Sequence, residues 1–199
     1  MGWEIRFLKE IAEVIDCLHS KKPKRQNYGK LLIQVFNIEN HGIIEFSDPY
    51  YISKEDYELW ISRMEIRTGD LVITKTGRVG AVGQMPHGYN AAMGRNMVGI
   101  RAKKRVSSPY YLKDLLISKR MKTEIIRNTN DGTILKSLHV KAINKLKVSI
   151  SKYRIVKKYE ETIKSFHKLQ ERNIEENYHL SSSKDAILPV LITGKYRLF

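Results

Sequence analysis

Apolar positions along the chain switch between two spacings, and the switches mark out its elements. Trp3, Phe7, Ile11, Val14, Ile15 and Leu18 recur at three- and four-residue steps with Glu4, Lys9, Glu10 and Glu13 between them, which predicts a helix over 3–18. A short opening strand at Trp3–Phe7 is the alternative. His19 to Asn27 is a polar, basic loop, and Leu31–Phe36 reads as a strand followed by a turn at Asn40-His41-Gly42 and a second short strand, Ile43–Phe46. Ser53 before Lys54-Glu55-Asp56 has the N-cap and acidic first turn of a helix running to Trp60. Ile66–Asp70 reads as a turn, Leu71–Thr74 as a buried strand, Lys75–Arg78 as a hairpin tip and Val79–Gly83 as the returning strand. Gly94 to Ile100 leads to another strand that ends in Arg101-Ala102-Lys103-Lys104-Arg105. Ser108-Pro109 opens a helix through Leu112, Leu115, Leu116 and Ile117, with proline near its first turn. Asn128–Thr133 is a turn cluster, and Lys147–Ile150 a closing strand.

From Tyr153 to Ser181 there is neither glycine nor proline, and charges alternate in sign. Val156, Tyr159, Ile163 and Phe166 fall on one helical seam, which then meets Gln170, Asn173 and Asn177 before Leu180. A helix of about 28 residues would span roughly 42 Å, too long to fit inside a small domain. Ser181-Ser182-Ser183 is expected to end it, leaving Ile187–Ile192 as an apolar tail; a surface helix packed along the core is the other reading. The fold class expected is α+β. A globular domain over 1–152, with a mixed, twisted β-sheet and flanking helices, precedes one long coiled-coil-forming α-helix in 153–199.

Composition narrows the function. The chain has 199 residues and is 42% hydrophobic with 11 Tyr and 5 Phe, enough to build a core and to exclude wholesale disorder. The lone Cys17 excludes a disulfide framework and a four-cysteine zinc site, and fits a reducing, cytoplasmic setting. No run of 18 apolar residues exists, so no membrane span is expected, and the acidic, amphipathic start is unlike a signal peptide. The formal charge of +15 is unevenly spread: residues 1–70 hold 10 basic and 12 acidic groups, residues 71–152 hold 17 and three, residues 153–199 hold nine and six. An excess concentrated in the middle points to a polyanionic partner, because each cation that neutralises a phosphate releases condensed counterions. A solvated basic surface kept for solubility is the plain alternative.

Catalytic motifs are absent. Asp48-Pro49-Tyr50-Tyr51 lacks the second proline of a base-methylating loop, and Gly77, Gly80 and Gly83 are not followed by Gly-Lys-Ser/Thr, so they form no phosphate loop. The six histidines are scattered without ligand spacing, so no metal and no cofactor is called for. What remains is binding chemistry. Thr74, Lys75, Thr76 and Arg78 at the hairpin tip, Arg95 and Asn96, and Asn128, Thr129, Asn130 and Thr133 are side chains suited to base edges and phosphates. Lys103-Lys104-Arg105 and Lys119-Arg120 suit sequence-independent contacts to the backbone.

Read together, these segments resemble the DNA-specificity subunit of type I restriction-modification systems, in half-length form. Trp3 to Ile11 is similar to the family's opening, a tryptophan and a short apolar segment leading to a first helix. Ile66-Arg67-Thr68-Gly69-Asp70-Leu71-Val72-Ile73-Thr74, with Lys75 to Gly80, resembles its Gly-Asp strand and glycine-bearing hairpin. Tyr110 to Leu116, then Asp131-Gly132-Thr133 and Leu138, is similar to the closing half of a target recognition domain. Ile187-Leu188-Pro189-Val190-Leu191-Ile192-Thr193-Gly194-Lys195 resembles the segment that ends each helical spacer. Ser149 to Arg154 stands where the family usually shows Pro-Pro and then Glu-Gln. The resemblance implies a target recognition domain over 1–152 and a spacer helix over 153–199. Full-length members carry two of each, so it further implies a homodimer joined through Val156, Tyr159, Ile163, Phe166 and Leu180 and reading a bipartite, palindromic duplex target. Methyltransferase and restriction subunits would supply the catalysis. A small stand-alone endonuclease is the competing class, and an RNA-binding protein a third, which lacks a clustered aromatic platform.

Overall fold

The computed structural model of the chain describes residues 2–39, 42–131 and 136–193, and they divide into two units, Met1–Thr162 and Ile163–Phe199. In the first unit β1 (Trp3–Phe7), a single helical turn α1 (Leu8–Ile11) and β2 (Ala12–Asp16) follow one another. The expected helix over 3–18 is thus replaced by strand, turn and strand, the first being the opening strand Trp3–Phe7 given as the alternative. Its β-branched residues find ladder partners far along the chain: Ile5 lies opposite Ser149 and Val14 opposite Ile100. Such tertiary pairing overrides a local helical period.

After a long loop come β3 (Lys30–Ile33), a 3-10 turn at Val35–Asn37, β4 (Tyr51–Ile52) and α2 (Lys54–Trp60). Ser53 caps α2 as its sequence predicts, its hydroxyl accepting the Asp56 N–H at 3.1 Å. Ile43–Phe46 is no strand; Ile43 and Ile44 make only isolated bridges, to Gln84 and Ile38. The next strands are β5 (Glu65–Arg67), overlapping the start of the expected turn, β6 (Leu71–Thr74), β7 (Val82–Gln84), shorter than expected, β8 (Asn90–Met93) and β9 (Met97–Ala102). Two helices follow, α3 (Pro109–Ile117) and α4 (Lys119–Arg127), the second unannounced by the sequence pattern. The unit ends with β10 (Asn130–Asp131), β11 (Lys136–Ser137), α5 (Val140–Asn144), β12 (Lys147–Ser151) and the start of α6 (Tyr153–Ile192).

Two four-stranded sheets form the body. One is antiparallel, in the order β2-β9-β6-β7; the other runs β4-β3-β8-β5 and contains the parallel pair β3–β8. Because successive side chains on a strand face opposite ways, each sheet feeds two cores. Leu71 and Ile73 of β6 join Leu112, Leu116, Met121 and Ile125 of α3 and α4, whereas Val72 joins Ile33, Ile66 and Met93 between the sheets. Leu32 and Ala92 point beyond the second sheet, to Tyr57 and Trp60 of α2. Close approach of the sheets depends on the row Gly83–Val72–Gly99. A Cβ at Gly83 would stand 2.9 Å from Ile44, and one at Gly99 would stand 2.6 Å from the Met64 sulfur.

The first turns of α6 belong to this unit. Val156 is buried in the core beneath α3. The Glu160 carboxylate accepts the N–H groups of Tyr110 (3.1 Å) and Tyr111 (3.3 Å), capping α3 where Ser108 does not. The Tyr159 hydroxyl donates to Asp114 at 2.7 Å, and its ring meets Tyr111 edge-on. In the second unit α6 continues through Ser181–Ser183, the expected terminus, to Ile192, with Pro189 inside the helix. An exposed serine run carries a modest propensity cost and no break. Phe166, Leu169, Leu180, Ile187, Leu188 and Leu191 are exposed along this helix, and Ile163 is half-buried.

Candidate nucleic-acid interface

The registers of the antiparallel sheet bring three separated segments to one end. Thr74 lies opposite Met97 and Asp16 opposite Val98, so the hairpin 75–81, the turn at Arg95-Asn96 and the loop leaving β2 emerge side by side. The Lys75 N–H donates to the Asn96 carbonyl at 2.7 Å, and the Leu138 N–H to the Lys75 carbonyl at 2.9 Å, which adds the β10–β11 hairpin. Asn130 and Lys136 therefore join the same end through their backbone, while Thr133 lies outside the described residues.

Side chains at this end divide into builders and presented groups. Thr74 is buried; its hydroxyl donates to the Arg78 carbonyl and accepts the Ala81 N–H, so it shapes the hairpin and reads nothing. Lys75 is only 13% exposed, with its ammonium 2.5 Å from the Asp16 carboxylate. Asp16 also receives His19 Nε2 at 3.0 Å. Burial alone would raise the Asp16 carboxyl, but the hydrogen bonds and charges of Lys75 and His19 outweigh it and hold the group below its ordinary value. Asp16, Cys17 and His19 place ligand atoms within 4.8 Å of one another. The Lys75 ammonium already holds that carboxylate, so the cluster acts as a latch between two loops. Thr76 is half-buried. Arg78 donates to the Ile38 carbonyl at 2.7 Å and stands 3.8 Å from Glu39. Arg95 and Asn96 are exposed; Asn96 adopts a left-handed backbone (φ 64°), and Arg95 makes no ion pair among the described residues.

Lys103-Lys104-Arg105 lies elsewhere. It follows β9 at the other end of the sheet, where the Lys103 ammonium donates to the Lys9 carbonyl at 2.6 Å. Six residues of β9 separate it from Asn96, roughly 20 Å. The sequence therefore grouped as one basic segment residues that the sheet divides between two ends. Asp70, of the Gly-Asp motif, is buried and structural: it accepts a two-pronged Arg101 fork at 2.8 and 2.6 Å and the Arg67 N–H at 2.8 Å. Two basic elements were not assigned to binding by the sequence, although the loop 19–27 was read as polar and basic. Arg127 is exposed at the end of α4, whose Ile125 packs on Gly80 of the hairpin. The loop 19–30 holds five basic groups and no acidic one, hidden within a segment whose total is near zero.

No protein-family model matches the chain, and no curated protein matches it either. Solved structures do. One, described in work on complex assembly and conformational transition of the type I R-M system, superposes with a TM-score of 0.55 at 15% identity, over 95% of this chain and 45% of that one. The HsdS subunit from Thermoanaerobacter tengcongensis gives 0.55 at 17% identity, over 95% and 44%. The type I restriction-modification S subunit from M. genitalium gives 0.53 at 11% identity, over 88% and 43%. The chain thus shares the fold of the matched part of these three structures and spans less than half the length of each.

Proposed function

We propose that this chain is a non-catalytic, sequence-specific DNA-recognition subunit of a type I restriction-modification system. The observation that carries the reading is the gathering of Arg78, Arg95, Asn96 and the β10–β11 hairpin at one sheet end, where Asp16 and Glu39 each face a cation. Arginine and asparagine pair bidentately with guanine and adenine edges, and the surrounding cations suit phosphates. The fold shared with specificity subunits supports the same assignment.

In this reading two copies join through the exposed apolar positions of α6 and read two half-sites of a palindromic target. The pair then docks methyltransferase and restriction subunits, which perform the chemistry. Duplex binding by the purified chain is expected to weaken steeply with salt. Arg95→Ala is expected to lower the log–log salt slope by about one if Arg95 holds a phosphate, or to abolish site selectivity if it reads a base. Fluorescence anisotropy on duplex DNA at several salt concentrations checks this; a wild-type affinity independent of salt refutes the reading.

A further inference from the structure

The loop between β2 and β3 contains two kinds of residue. One kind ties it to the body. His19 bonds Asp16, the Pro23 carbonyl accepts the Tyr50 hydroxyl at 2.7 Å, and the Lys22 ammonium sits 4.2 Å from the centre of the Tyr50 ring. Arg25 bonds Asp48 and the Pro49 carbonyl, and the Gln26 N–H donates to the Tyr51 carbonyl at 2.9 Å. The other kind faces water. Lys21 and Lys24 are exposed, Tyr28 is 83% exposed, and none of the three has a partner among the described residues.

Covering the edge strand β4 accounts for the inward half of the loop and leaves the outward half unexplained. A loop fixed at several points loses little conformational freedom on binding, so cations held on it form a preformed array. It leaves β2 at Asp16, whose carboxylate holds Lys75 of the hairpin, so the loop starts from the basic sheet end and runs to the β4 edge. A polyanion suits it, since no carboxylate lies within residues 19–30.

We infer that this loop is a basic arm that grips the sugar–phosphate backbone of duplex DNA through Lys21, Lys24 and Tyr28. The inference rests on the DNA-binding reading above and adds a contact surface to it. Lysine supplies charge to phosphate, and a tyrosine hydroxyl donates to it.

The test measures affinity for a random-sequence duplex across a salt series, using the full chain and its variants. Lys21→Ala combined with Lys24→Ala should reduce the salt slope by about two, at ~0.9 per phosphate contact. Tyr28→Ala should weaken binding several-fold. All three side chains are exposed, so melting temperatures should stay at the wild-type value and separate a binding effect from misfolding. If these variants keep the affinity and the steep salt slope of wild type, the arm is overturned and the DNA-binding reading stands. If the wild-type chain does not bind duplex DNA at all, both fall.

Discussion

Lys75 lies in a hairpin tip whose composition suits base recognition, yet its ammonium is turned onto Asp16, 59 positions earlier in the chain. Charge and turn pattern report that a lysine sits in a loop; they carry no information on which carboxylate the fold sets beside it. Arg95 and Asn96, exposed as the pattern suggests, were legible because turn residues depend mostly on their own neighbours. Lys75→Met is expected to cost about 1–2 kcal/mol, because it strips a partly buried carboxylate of its closest charged partner. In thermal melts that corresponds to a fall of several degrees. The pH dependence has a definite sign. Asp16 is held below its ordinary pKa in the folded chain, so its contribution is complete above the unfolded value and is lost as pH falls through the folded one. Glu65 is lowered likewise, chiefly by its hydrogen bond from Arg67. Wild type should therefore lose stability below about pH 4, and the gap between it and Lys75→Met should narrow there. A gap that stays constant down to pH 3 would count against the Asp16 latch.

Helices whose signals are local were the easiest elements to foresee. Ser53 and Pro109 mark the starts of α2 and α3 whatever lies around them. The stretch 3–18 was not legible in the same way, because its strand state depends on distant partners; Gly2 and Ser151, joined by a hydrogen bond at 3.3 Å, are 149 positions apart. The long helix was legible, and its end was not. Serines merely lower propensity, so nothing at Ser181–Ser183 forces a stop. The glycine row across β6 gives a prediction at this scale. Gly83→Ala should destabilise the first unit by about 1–3 kcal/mol, since the new methyl meets Ile44 and Ile38, branched side chains with little freedom to retreat. Chemical denaturation should show a lower midpoint at unchanged slope.

Across the whole molecule, charge and unpaired apolar surface separate. The basic excess belongs to the first unit, whereas the helix of the second exposes Phe166 and Leu180, at 65% and 60%, without a matching basic excess. Of the five positions expected to join two copies, Val156 is buried in its own unit and Tyr159 is bonded to Asp114, so Ile163, Phe166 and Leu180 are left to carry the seam. Phe166→Glu with Leu180→Glu should yield a monomer by light scattering while leaving the melting of the first unit intact; an unchanged mass would refute pairing through α6. The outline of the fold was readable from the order of motifs. The division of the basic residues between two sheet ends was not, because it follows from strand register. Pairing of β1 with β12 has a consequence of a different kind. Trp3 lies opposite Ser151, so the two ends of the segment 3–151 meet on adjoining strands. A segment whose two ends meet is closed like a clasp, so a pull applied through the helix that leaves Ser151 loads the β1–β12 ladder before it reaches the sheets.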